Sequence, residues 1–88
     1  KEDAVVTNSM VANGCVIEGT VENSILFRGV KVGKGVHIKN SIVMQKCQLE
    51  DNALIENVIC DKNVVITEGK WLKGAPNYPL IVEKGVVI

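Results

Sequence analysis

The chain has 88 residues, 47% hydrophobic but only 3% aromatic, with ten basic residues balancing ten acidic ones. That size allows one small domain with a modest core, and zero net charge argues against a nucleic acid or an anionic membrane held by bulk electrostatics. No apolar run approaches the roughly 20 residues of a membrane span.

No signal peptide is recognisable, and the chain opens on Lys1 rather than Met, as an excised cytoplasmic domain would. Cys15, Cys47 and Cys60 are an odd set without CxxC spacing. They read as buried thiols of a cytosolic protein rather than a zinc or disulfide framework.

In chain order, one phrase keeps returning: "NSMV" from Asn8, "NSIL" from Asn23, "NSIV" from Asn40 and "NVIC" from Asn57. The last three begin 17 residues apart and the first interval is 15. A fixed period of this length marks stacked repeats. Gly and Asn fall too often for helices, and the apolar spacing does not follow 3.6.

A frame of one inward aliphatic per short strand fits instead: Val11, Ile17, Val21, Leu26, Val32, Ile38, Val43, Leu49, Ile55, Cys60, Ile66 and Leu72. From Leu26 the intervals run 6, 6, 5 and repeat, so three segments make one coil of 17. Two residues before each aliphatic, on the same side of the strand, stand small or β-branched residues such as Ser24, Val30, Val36, Ser41, Cys47 and Ala53. Three residues after the aliphatics of the six-residue segments stand Gly14, Gly29, Gly35, Lys46, Asn52, Asn63 and Gly69. All but Lys46 are Gly or Asn, which tolerate positive φ most readily.

The fold expected is all-β: a single-stranded parallel β-helix of triangular cross-section, with about four coils stacked roughly 4.8 Å apart. Periodicity alone leaves its handedness open. Coils occupy residues 1–72, with the first shortened by two residues around "IEGTVEN". A Pro/Gly loop spans 73–79, "KGAPNYP", and 80–88 resume the repeat. Trp71 and Tyr78 are expected to cover the open end of the prism.

Little in this frame carries chemistry. His37, between Val36 and Ile38, points outward and is the only possible general base; one histidine cannot hold the metal of a prism-shaped carbonic anhydrase. The glycines of "GVKVGKGV" are corner glycines, not a phosphate loop. Arg28, Lys31, Lys34, Lys39 and Lys46 form a moderately basic stretch on which an anion could dock. Glu50, Asp51 and Glu56 read as a solvated face.

The motif of a small residue two places before each aliphatic resembles the left-handed hexapeptide-repeat family, which implies left-handed coils. The segments "GTVENSILFRGVKVGKGVHIKNSIVM" and "ENVICDKNVVITEG" further resemble the C-terminal β-helix of bacterial glucose-1-phosphate adenylyltransferase (ADP-glucose pyrophosphorylase). The ending "KGAPNYPLIVEKGVVI" is closer still to the companion, regulatory glycogen-biosynthesis subunit of Gram-positive bacteria.

That resemblance implies an oligomerisation and effector-response module. Its partners would be an N-terminal nucleotidyltransferase domain, absent here, and other subunits in a homo- or hetero-oligomer. It implies no cofactor in this fragment, since the parent's ATP and magnesium serve the absent domain. It implies one effector-contacting residue, Lys62 in "CDKNVVI", where other members carry Arg and so a bidentate anion contact. The rival reading is a free-standing trimeric acyltransferase with His37 as base. A third, the β-helix of a uridylyltransferase, changes the parent reaction but not the module's role.

Overall fold

Strands of two or three residues, separated by corners, account for nearly all the regular structure of this computed structural model, which describes residues 4–88. They stack into three parallel sheets, one per face of a prism. The first holds β1 (Val5–Thr7), β4 (Thr20–Glu22), β7 (His37–Lys39), β10 (Leu54–Glu56) and β13 (Trp71–Lys73) in that order. The second holds β2 (Met10–Val11), β5 (Ile25–Leu26), β8 (Ile42–Val43), β11 (Val58–Cys60) and β14 (Leu80–Val82). The third holds β3 (Val16–Ile17), β6 (Lys31–Val32), β9 (Gln48–Leu49) and β12 (Val65–Ile66). Each strand pairs with the one three places on, so the chain winds through about four turns of a β-solenoid. This is the β-helix that the six-residue frame requires, consistent with the left-handed hexapeptide helix.

The core is the predicted inward set from Val21 to Ile66; Ile17 and Leu72 are half-buried and Val11, on the end coil, is exposed. Leu26, Ile38, Leu49, Ile55 and Ile66 are fully buried, and Val30, Val36, Cys47, Ala53, Val58 and Val64 fill the small positions beside them. Register stacks like on like: Val21, Ile38, Ile55 and Leu72 form one column. Each coil therefore buries its aliphatics against the coils on either side, and only the end coils are left half-covered.

Corners close where positive φ is available. Gly14, Gly29, Gly35, Lys46, Asn52, Asn63 and Gly69 all lie there, and Gly85 continues the series. Lys46 is the exception to the residue rule but not to the geometry, at φ 64. Its aliphatic stem lies over Gly29 in ordinary van der Waals range.

The third corner, closing each five-residue segment, is turned by the Asn of the returning phrase: Asn8, Asn23, Asn40 and Asn57 have φ between 48 and 56. Serine completes that phrase for a separate reason. Ser24 and Ser41 are buried, and each hydroxyl donates to the carbonyl two residues back, Glu22 O at 2.7 Å and Lys39 O at 2.8 Å. Each also accepts the backbone N–H of the next coil: Ser41 N reaches Ser24 Oγ at 3.1 Å and Val58 N reaches Ser41 Oγ at 3.2 Å. "NS" is thus one turn former and one hydroxyl that replaces a missing ladder bond. Val58 can stand in the serine's place because Leu80 N, above it, donates to Asn57 O at 3.0 Å instead.

The short first coil is resolved at one corner. Strand partners are 15 residues apart up to β3, 17 apart from β4 to β10, and 22 apart where β11 pairs β14 across the loop. Only Glu18 and Gly19 link β3 to β4, where four residues link β6 to β7. Gly19 is drawn so close to the next coil that a Cβ there would sit 2.4 Å from Val36 O. At the other end β13 includes Lys73, so the excursion starts at Gly74, which stands in the Asn position of its coil. The loop is closed by Ala75 and Tyr78, each N–H bonding the other's carbonyl at 3.2 and 3.0 Å.

Trp71 and Tyr78 do not cover the prism end, contrary to the sequence expectation: they are 74% and 82% exposed. Leu72 takes the inward position of β13, so strand alternation turns Trp71 out, and Tyr78 stands on the loop. The end is closed instead by Val82, with Leu72 and Ile88 packed half-buried on the core.

These contacts set an order of stabilities in urea unfolding. Ser41→Ala leaves the Val58 N–H buried without an acceptor and should cost about 1–3 kcal/mol. Gly69→Ala meets no neighbour and should cost roughly 1 kcal/mol for its left-handed backbone. Gly19→Ala should cost more than either, because the obstacle is backbone.

Candidate functional site

Lys62 is an exposed corner residue between β11 and β12. Its backbone N–H is held by Asp61 Oδ1 at 2.7 Å, and its carbonyl accepts Gly85 N at 3.0 Å. The same corner one coil earlier carries Gln45 and Lys46, and the one before that Arg28. The stacking bonds are Asn63 N to Gln45 O at 3.1 Å and Lys46 N to Arg28 O at 2.9 Å. With Lys84 one coil later, a single edge of the prism presents Arg28, Lys46, Lys62 and Lys84.

The basic stretch seen in sequence is not one patch. Arg28 and Lys46 belong to this edge, Lys31 faces out from the third sheet, Lys34 sits at another corner and Lys39 lies on the first sheet. Neighbours in sequence turn a corner every few residues, so they diverge on different faces. Lys84 was missed for the converse reason. It joins Lys62 only through a register displaced by the loop, and the 17-residue period does not reach it.

His37 faces outward, half-exposed, and its Nε2 lies 2.6 Å from Glu22 Oε2 of the preceding coil. Such a pair orients an imidazole but makes no site alone. The nearby depression of about 260 Å³ is lined by Glu18, Thr20, Lys34 and the corner backbone around Gly35, with no thiol among its lining residues. Among the described residues no group of three or more His, Cys, Asp or Glu side chains is placed to hold a metal ion.

The three cysteines are free. Cys47 and Cys60 are buried; Cys47 Sγ donates to Asp61 O at 2.9 Å. Burial pushes the Cys47 thiol up from its ordinary value. The Cys60 thiol is pushed up to about 12, first by burial and then by neighbouring Cys47. These are core groups, not nucleophiles.

A prism of three parallel sheets of short stacked strands around an aliphatic core defines a β-solenoid module. The chain belongs to the GlmU-like C-terminal hexapeptide family, whose model matches residues 1–74. It is 52% identical over 84 residues to the glycogen biosynthesis protein GlgD of Bacillus subtilis (strain 168), covering 96% of this chain and 24% of that protein. It is 57% identical over 82 residues to GlgD of Geobacillus stearothermophilus, covering 93% and 24%. A glucose-1-phosphate adenylyltransferase of Bacillus cytotoxicus is 37% identical over 76 residues, covering 86% and 20%. The chain thus spans about a quarter of the length of these curated relatives. Among the described residues no helix is long and apolar enough to cross a membrane.

The thiols give a pH dependence with a definite sign. A thiol with a raised folded value stabilises the fold fully below the unfolded value of 9.0, and that contribution is lost as pH rises toward about 12. Stability should fall above roughly pH 9, and Cys60→Ala should flatten that slope after allowance for its lower baseline. A thiol-reactive disulfide at pH 8 should leave Cys47 and Cys60 unmodified until urea unfolds the chain.

Proposed function

We propose that this chain is the C-terminal oligomerisation and effector-response module of a cytoplasmic glucose-1-phosphate adenylyltransferase subunit of glycogen biosynthesis, not catalytic by itself. Its partners are the nucleotidyltransferase domain of its own subunit and other subunits of the same enzyme. ATP and magnesium belong to that domain's reaction. The observation that carries this reading is the 52% identity to a glycogen biosynthesis protein across 84 residues, ten more than the family model matches. The similarity is therefore not merely that of one hexapeptide helix to another.

Lys62 is the effector contact in this reading, and the edge around it supports the assignment. Arg28, Lys46 and Lys84 stand within two coils of it along the edge, roughly 10 Å or less, so a phosphorylated anion can meet several cations at once. Asp61 offsets part of that charge, which fits a modest, reversible site rather than a tight one.

The test is solution mass by light scattering across a dilution series, with and without phosphorylated sugars. An assembly that persists on dilution and shifts with the sugar is expected. Lys62→Glu should abolish the sugar-linked shift, and Lys62→Arg should strengthen it through bidentate contact. A folded monomer indifferent to every sugar phosphate would overturn the assignment of both roles to this module.

A further inference from the structure

The second sheet turns Met10, Ile25, Ile42, Ile59 and Ile81 outward, an uncharged apolar column that meets the basic edge at Arg28 and Gln45. The first sheet carries a different pattern. Its register stacks Glu22, Lys39, Glu56 and Lys73 in one outward column, one charge per coil, with the sign reversed at each step. Beside it runs a second outward column of Thr20, His37, Leu54 and the largely exposed Trp71. Glu22 holds His37. Among the described residues, Lys39, Glu56 and Lys73 make no side-chain ion pair. An even run of alternating charges has a special symmetry: reversed end to end, it becomes its own complement.

We propose that this face pairs two copies of the chain across a two-fold axis parallel to its strands, with the two prism axes antiparallel. The inference deepens the oligomerisation reading above and rests on it, naming the surface and what covers it. Such an axis reverses the order of the coils and lays each column on its own copy. Glu22 then meets the partner's Lys73 and Lys39 meets the partner's Glu56, each contact occurring twice. In the neighbouring column Trp71, the largest side chain, lies on the partner's Thr20, the smallest, and Leu54 meets the partner's His37.

Charge fixes the register as well. Sliding one copy by a coil sets Lys39 on the partner's Lys39 and Glu22 on the partner's Glu56, and like charges repel. A two-fold along the prism axis instead lays the charged column on the partner's Thr20, His37, Leu54 and Trp71. Its charges are then covered without counter-charges, which costs more than it gains. Four coils span roughly 20 Å, so the face is small beside the roughly 800 Å² per partner of a standard stable interface. The pair is therefore weak, and sensitive to concentration and salt.

The experiment is sedimentation equilibrium of the 88-residue chain from about 10 μM to about 1 mM, in low and high salt. A monomer–dimer equilibrium that weakens in high salt is expected. Lys39→Glu and Glu56→Lys each set two pairs of like charges across the interface. Either variant alone should self-associate at least about tenfold more weakly. An equimolar mixture of the two restores opposite charges at every position, and should dimerise again with near wild-type strength. Mixing cannot repair a defect inside one chain, so recovery reports on the contact between chains. Val16→Glu, outward on the third sheet, should change nothing. Far-ultraviolet circular dichroism checks that each variant folds.

Self-association indifferent to both charge reversals, or lost with Ile25→Glu on the second sheet instead, overturns this inference and leaves the functional reading standing. Two weakened variants that mixing does not restore overturn it as well. A chain that stays monomeric at every concentration takes down this inference and the oligomerisation reading together.

Discussion

The fold depends on turning three corners in 17 residues, which requires a left-handed backbone at fixed places. Where that conformation is supplied by Gly or Asn, the intervening five- or six-residue segments have no freedom left but to run straight. Equivalent segments then fall above one another at the spacing of a parallel ladder, and the inward aliphatics stack as a consequence. The core does not select this fold against others by its composition, which any aliphatic β protein could share. The corners do, and Lys46 at φ 64 shows that the geometry is enforced even where the residue is unfavourable.

A second layer of constraint concerns the backbone groups that the ladder leaves unpaired at corners. The serines meet it from inside, with one hydroxyl joining two coils. Asp51 meets it from outside: its Oδ1 accepts the Lys34 N–H at 3.0 Å, an approach open only because Gly33 lacks a Cβ. Both devices span neighbouring coils, so each adds cooperativity between repeats rather than stability within one.

Much of this was legible in the sequence because the period is short and the demands are local. Six of the seven corner positions named from spacing already carried Gly or Asn. What stayed hidden needed the third dimension. The asparagines of the returning phrase lay outside a corner rule drawn from the six-residue segments, yet they close the five-residue ones. Trp71 read as a lid from its place at the end of the regular run, yet its own neighbour Leu72 had already claimed the inside. The basic edge was invisible for a geometric reason: its members are a coil apart in sequence, while the lysines adjacent in sequence scatter over two faces and a corner.

The same period that makes such a chain easy to fold makes it hard to interpret. A solenoid satisfies its interior by repetition, so every inward residue is explained by packing and says nothing about use. Function has to be read from departures on the outside. Two of these are continuous over several coils: a charged edge and an apolar face. They are adjacent, sharing Arg28 and Gln45 at their border.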